Sequence, residues 1–595
     1  MFRLDKHMNR KEKKYWYFQI IISTIIICVT GGYHIYAEKL PFLGDEIGYL
    51  SSAAYFSGHD WSGVISTIPY YGYGYGILLT PLFLIFKDPV LLYSAVLTLN
   101  IILLVLSFFI VIRCGCYFLK GSSLTVITFI ALLITLYSNN LVQVHFAWSE
   151  TVLYFLYWLS VLLIIKVTEK PSAKNLIILI MCLFYMFAVH MRALGVVLAG
   201  LLIIIWRVSM EGNSKEKLIR WGLICVLGAG AALLVLGGKE YITQHLWENS
   251  QQISGNDFSG QTEKIGAIFS VQGFFYLLKG MGGKVFYLGI ATLTLGITGL
   301  WTAFSTAFFN VFHINKAGMR KNLKKGMVYA YLFMSYFFSL GITVVSMLYP
   351  TRVDTVIYGR YLDILIGPLL LLGIAFLLEK AELPILQNFF VCALILNILS
   401  FIVKDVFMEV SSGHRVIQCI AGVAYFFIGE YKLEDTSFVM CMTVLLILSV
   451  FALILFLGKR NKRFALFLGS GICIFFWMFN GKKLMDETLP RQNKVYDEYS
   501  YAAENIEKIP DLKKIYFVMD ENEENKNSEA LYLQYLLMEY PVEYISIKRL
   551  NEAEKNNTVF LVLNEGSSYT DCSNMFDIYY TDDKCTLFLD EPNQP

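Results

Sequence analysis

The chain has 595 residues, of which 56% are hydrophobic and 15% aromatic, while only 16% are charged, against about 25% in soluble proteins. A soluble fold has no interior able to hide that much apolar surface. The formal net charge of +2 supplies no basic field for a nucleic acid, so none is expected as a partner.

In chain order, the apolar residues come in blocks of about 20, the length of a bilayer-crossing helix, rather than with the alternation of a surface helix. The basic start (Arg3, Lys6, Arg10, Lys11, Lys13, Lys14) precedes a block with no small-x-small cleavage site behind it, so that block reads as an uncleaved anchor. Thirteen spans are predicted, near residues 17–36, 89–112, 122–140, 150–167, 175–190, 193–208, 219–237, 284–311, 326–348, 361–379, 384–403, 436–457 and 463–480. Lys and Arg gather in alternate loops, from Arg113 and Lys120 through Lys166, Lys170 and Lys174 to Lys459, Arg460, Lys462 and Arg463. This charge bias places the N-terminus in the cytoplasm. Residues 416–429 are apolar but short, and a crossing there would strand the 459–463 cluster outside. They read as a re-entrant or surface helix, which leaves the C-terminus outside.

The fold class expected is therefore an α-helical polytopic membrane protein with about thirteen transmembrane helices and a small C-terminal α/β soluble domain. Residues 1–480 form the membrane domain, with a first outside loop at 37–88, and residues 481–595 the extracytoplasmic domain. In the latter, 499–509 and 528–539 read as helices, and 514–519, 542–547, 558–563, 576–580 and 586–589 as strands. Cys572 and Cys585 would pair only if that domain is outside, and the sequence leaves the bond open.

Charged residues at a membrane edge are costly and so mark function or a specific structural need. Four groups fall on the outside face. The first is Asp45-Glu46 with Tyr49, where Ile47, Leu50 and Ala54 at helical spacing allow a helix along the bilayer surface. The acidic pair is either solvated charge or a base for an acceptor hydroxyl. The second is the tyrosine-glycine run from Pro69 to Phe83, including Tyr71 and Tyr73, read as a half-buried hairpin whose glycines allow close backbone approach to a neighbour or ligand. Third is the stretch Gln143 to Glu150, with His145 interfacial and Glu150 opening a span. Its carboxylate serves the helix dipole or the site. The fourth comprises His190-Met191-Arg192 and Tyr358-Gly359-Arg360-Tyr361 at outer span ends, where a guanidinium either snorkels or grips phosphate.

Taken in order, these motifs resemble the GT-C class of membrane glycosyltransferases, which includes protein O-mannosyltransferases and the aminoarabinose transferase of lipid A. The resemblance covers roughly residues 17–480. It implies an inverting transferase that moves a sugar from a polyprenyl-phosphate donor to a glycan, lipid or protein acceptor on the outer face of a plasma membrane. Asp45, with Glu46, would be the catalytic base. Tyr49, Tyr71, Tyr73, Glu150, Arg192, Arg360 and Tyr361 would bind substrate and lipid phosphate. No cofactor is assigned, and a divalent cation at Glu150 stays open. Two departures stand out: Ile47-Gly48 occupy the place where the family often has a basic residue, and a Tyr-Gly run replaces a Pro-rich hairpin.

Two other classes also span the membrane many times. An outer-leaflet oligosaccharide polymerase or ligase would carry its arginines in one large late loop, whereas residues 404–435 hold only Lys404, Arg415 and Lys432. A lipid or solute transporter would show mid-span charges and inverted repeats, and the sequence has neither. A transferase site requires Asp45, Glu150 and Arg360 to meet in one place.

Overall fold

The computed structural model describes residues 8–590 except 42, 211–212, 248–260, 313–318, 351, 380–381, 410–415, 427–461, 520–526, 554–556, 565–571 and 574. Among the described residues, eight helices are long and apolar enough to cross a membrane: Arg10–Ala37, Pro89–Phe118, Glu150–Glu169, Met191–Ser209, Ser214–Leu246, Leu323–Ser346, Arg360–Glu379 and Leu383–Lys404. The chain is a multi-pass membrane protein.

Eight of the thirteen predicted runs match these helices. The run at 122–140 divides into Leu124–Thr135 and Ser138–Gln143, and 175–190 forms the 17-residue helix Ala173–Val189. The run at 284–311 is not one straight span: Val271–Ala291 and Leu295–Asn310 meet at 115°. The bend sits at Leu293 and Thr294, with φ of 52° and 69°, values that apolar composition cannot report. The 436–457 span lies outside the described residues, and 463–480 is the first part of the 45-residue helix Lys462–Ile506. Residues 417–426 form a 3-10 segment that is buried over Ile417 to Ala424. It is therefore no surface helix.

Seven helices and five strands position the site. They are α1 (Gly44–Phe56), α2 (Tyr73–Ile85), α3 (Pro89–Phe118), α4 (Glu150–Glu169), α5 (Arg360–Glu379), α6 (Lys462–Ile506) and α7 (Asn527–Leu536). The strands are β1 (Lys514–Met519), β2 (Val542–Ser546), β3 (Thr558–Leu563), β4 (Asp577–Thr581) and β5 (Cys585–Asp590).

Helix α1 forms as its sequence suggests, with Asp45 and Glu46 in the first turn, where negative charge suits the helix dipole. Every residue from Glu46 to Ala54 is buried within the protein. Part of its cover comes from α7, whose Leu531 reaches Gly44. The Pro69–Phe83 run is not a hairpin in itself. Its C-terminal part is α2, which packs on α1, and its alternate glycines face neighbouring backbone. A Cβ on Gly74 would come within 2.6 Å of Val189 N, so the close approach expected from this run is to the chain at 188–189. Gly74→Val is accordingly expected to lower the melting temperature by several degrees in a thermal scan, since overpacking of this kind costs about 1–3 kcal/mol.

The sheet has the order β2-β1-β3-β5-β4, with β1 parallel to β2 and β3, and β5 antiparallel to β3 and β4. Strand alternation sorts its side chains onto two faces. Ile515, Phe517, Val559, Leu561 and Leu587 join the main core, while Tyr516, Val518, Phe560, Val562 and Phe588 build a second, smaller one. Cys572 and Cys585 are both buried, and no disulfide joins them. The sheet unit docks on the loop after α1 through Trp61 Nε1, which donates to Met538 O at 3.0 Å, and on α3 through the Tyr535 hydroxyl, which donates to Pro89 O at 2.9 Å.

Candidate active site

The N-terminal ends of α1, α4 and α5 and the turn at Arg192 converge. Arg360, at the start of α5, donates from Nη1 to Asp45 Oδ2 at 2.5 Å and from Nε to Glu150 Oε1 at 2.6 Å. Arg192 donates from Nη2 to the same Glu150 oxygen at 2.6 Å and to Ser149 Oγ at 3.3 Å. Two carboxylates and two guanidiniums thus form one continuous chain of charge-assisted contacts. Both arginines are buried against aromatic faces: Arg360 lies 3.7 Å from the Trp148 ring centroid and Arg192 4.5 Å from that of Tyr361. Among the described residues, Arg192 Nε and Nη1 find no hydrogen-bond acceptor, which leaves buried donors available to an anion.

Asp45 is the outlet of this chain. Its side chain is 38% exposed while Glu150 is fully enclosed. The Tyr71 hydroxyl donates to Asp45 Oδ1 at 2.6 Å, and its ring lies where a Cβ on Gly48 would stand. The glycine three residues after Asp45 therefore makes room for the tyrosine that orients it. Burial alone would raise the Asp45 carboxyl, but the Arg360 charge and the Tyr71 and Arg360 hydrogen bonds overcome it and hold the group below its ordinary value. Burial and the nearby Asp45 charge push the Tyr71 phenol well up, so it stays a donor. At His190, burial first and then Arg192 and Arg360 depress the imidazole well below its usual range. Its Nδ1 accepts from the Arg192 backbone N–H at 3.2 Å, which puts the proton of the neutral ring on Nε2.

The stretch 143–149, which delivers Trp148, Ser149 and Glu150, is mostly irregular and buried, so its backbone polar groups need partners. Asn100 Nδ2 donates to Phe146 O at 2.9 Å, and the Ala147 N–H donates to Glu46 Oε2 at 2.7 Å. His145 Nδ1 lies 2.6 Å from Glu38 Oε1, with both groups buried, so His145 is an internal fastening and not an interfacial side chain.

The structure thus brings Asp45, Glu150, Arg192, Arg360, Tyr71 and Tyr361 together, with the Tyr49 hydroxyl 2.9 Å from Ser149 Oγ. Two sequence candidates sit elsewhere. Tyr73 turns its hydroxyl to Val235 O at 3.1 Å. Glu46 is fully buried on another side of α1, where it also accepts from the Tyr93 hydroxyl at 2.7 Å. Residues that the sequence did not single out complete the site. Trp148 stacks under Arg360, and Asp363, one helical turn beyond Arg360, accepts from Tyr137 and Tyr287 at 2.9 and 2.7 Å and so fixes α5. The signal available in sequence for Asp363 was its i+3 spacing from Arg360. Among the described residues no group of three or more His, Cys, Asp or Glu side chains could hold a metal ion.

No family model and no curated protein matches the chain. Solved structures do. ArnT from Cupriavidus metallidurans bound to undecaprenyl phosphate aligns over 96% of this chain and 97% of its own length, with a TM-score of 0.51 and 11% identity. The apo state of ArnT aligns over the same shares with a TM-score of 0.50 and 12% identity. This chain shares the fold of ArnT. The likeness runs nearly end to end and so includes the C-terminal sheet unit as well as the helices. At this identity the fold is shared as a path of the backbone, and the site chemistry must be read from this chain's own residues.

Proposed function

We propose that the chain is an inverting glycosyltransferase that moves a sugar from a polyprenyl-phosphate donor to an acceptor at the outer face of the plasma membrane. In this reading the N-terminus is cytoplasmic, residues 1–480 form the membrane domain, and residues 481–595 the extracytoplasmic domain. The observation that carries the proposal is the unbroken contact chain from Asp45 through Arg360 to Glu150 and Arg192. It links a partly exposed carboxylate, through Arg360 and Glu150, to the buried donors of Arg192, which suit a phosphate. The undecaprenyl phosphate bound to ArnT supports a polyprenyl-linked donor in a fold of this kind.

In the transfer step Asp45 takes the proton of the acceptor hydroxyl as its oxygen attacks the anomeric carbon, and the bond from that carbon to the phosphate oxygen breaks. Arg360 and Arg192 offset the charge that builds on the departing polyprenyl phosphate. Glu150 holds both guanidiniums at the spacing that a phosphate would meet, and Tyr71 orients Asp45. The test uses the whole chain in lipid nanodiscs with a panel of polyprenyl-phosphate pentoses, hexoses and amino sugars, and follows release of polyprenyl phosphate. The expected result is turnover of at least one donor in the presence of an envelope acceptor fraction. A folded chain that consumes none of them sinks the reading.

A further inference from the structure

The second carboxylate of the acidic pair has a different task from the first. Adjacent residues on a helix lie about 100° apart, so Asp45 points to Arg360 while Glu46 points to the loop before α4. There Glu46 Oε2 accepts from the Ala147 N–H and the Tyr93 hydroxyl, each at 2.7 Å, and Oε1 accepts from the Leu43 N–H at 3.1 Å. All these contacts are internal, because Glu46 is fully buried. The next residue after Ala147 is Trp148, the face on which Arg360 rests, and Glu150 follows two residues later. Tyr93 is in turn packed edge-on to Tyr535 of α7, at 6.4 Å between ring centroids. Helix α1, α3 and the loop therefore share one carboxylate, and the sheet unit packs on the tyrosine that donates to it.

We propose that Glu46 is a positioning residue that locks the Ala147–Glu150 turn to α1, and so sets the distance between Asp45 and the Arg360–Glu150 pair. The hydrogen bonds that it accepts from Leu43, Tyr93 and Ala147 run to the scaffold of the site. It takes no proton from substrate. The proposal rests on the transferase reading of the site for its kinetic arm only. A buried carboxylate that accepts two N–H groups and one hydroxyl cannot be replaced by an amide without turning an NH2 toward one of these donors. Loosening of the turn by about 1 Å would cost on the order of 10²-fold in rate, since that is the penalty for misplaced catalytic groups.

The test compares the parent chain with Glu46→Gln and Tyr93→Phe in nanodiscs. Hydrogen exchange is read on peptides covering 144–150, α4 and the five strands. In Glu46→Gln the 144–150 peptide is expected to exchange about tenfold faster while α4 and the strands keep their protection, because only the local opening becomes easier. Its kcat is expected to fall by about 10²-fold with the donor KM within about threefold, and the acid limb of the pH–rate profile is expected to remain, since the base is still Asp45. Parent-like exchange at 144–150 overturns the proposal, and so does loss of the acid limb, which would make Glu46 a base. If Glu46→Gln does not give monodisperse protein, Tyr93→Phe decides, with an expected acceleration of about two- to fivefold for one lost hydrogen bond. No acceleration in that variant overturns the proposal. Should no donor be turned over by the parent chain, the transferase reading falls while the exchange arm still decides the role of Glu46.

Discussion

Asp45→Asn is expected to lower the rate of sugar transfer by about 10²–10⁴-fold, the usual contribution of a positioned general base. Asparagine keeps the size of the side chain and its oxygen can still accept from Tyr71, while its NH2 then faces Arg360, so the fold should survive and the loss should appear chiefly in kcat. The pH profile sharpens the test. Arg360 and Tyr71 hold Asp45 below the ordinary carboxylate value. The ionised, base-competent form therefore persists at every pH above about 4, and the rate on the acid side should fall only below that value. A limb centred near neutrality would mean that another group is the base, and full transfer by Asp45→Asn would remove Asp45 from the chemistry altogether.

Arg360→Lys is expected to cost about 10²–10³-fold in kcat/KM, or about 3–4 kcal/mol of barrier. The positive charge remains, but a lysine cannot span Asp45 and Glu150 as the guanidinium does from Nη1 and Nε. It also forfeits the flat stacking on Trp148. Arg360→Ala should be worse in a second way: Glu150 would keep Arg192, but the buried arrangement would lose one cation of two. Breaking a buried pair by removing one partner costs about 3–5 kcal/mol. Chemical denaturation beside the transfer assay separates the two losses. Lysine that turns over at the parent rate would show that the fork geometry at this position is irrelevant.

Several of these features are legible in the sequence because they depend on one residue and its local spacing. Two arginines and two acidic motifs at the ends of apolar blocks can be assigned to one face by charge bias alone, and the structure joins Asp45, Glu150, Arg192 and Arg360 within hydrogen-bonding distance. What the sequence hides depends on direction and on distant chain. Asp45 and Glu46 are neighbours in sequence yet face different partners, because one helical step turns the side chain by about 100°. Burial of α1 does not follow from its own pattern, since α7 that covers it lies nearly 500 positions later. The glycines at 72, 74 and 76 announce close approach without naming what approaches. The bend at Leu293 and Thr294 is invisible to hydropathy, which sums a window and carries no dihedral angle.

Helix α6 sets how this molecule can move. Forty-five residues span about 68 Å at 1.5 Å per residue, roughly twice the hydrocarbon thickness of a bilayer. Its Gln492 donates to Leu40 O and its Asp497 pairs with Lys39, so the strut is tied to the chain just before α1. The sheet is tied a second time through Trp61 and Tyr535. A unit joined at two separated places is restrained against a hinge motion about either one.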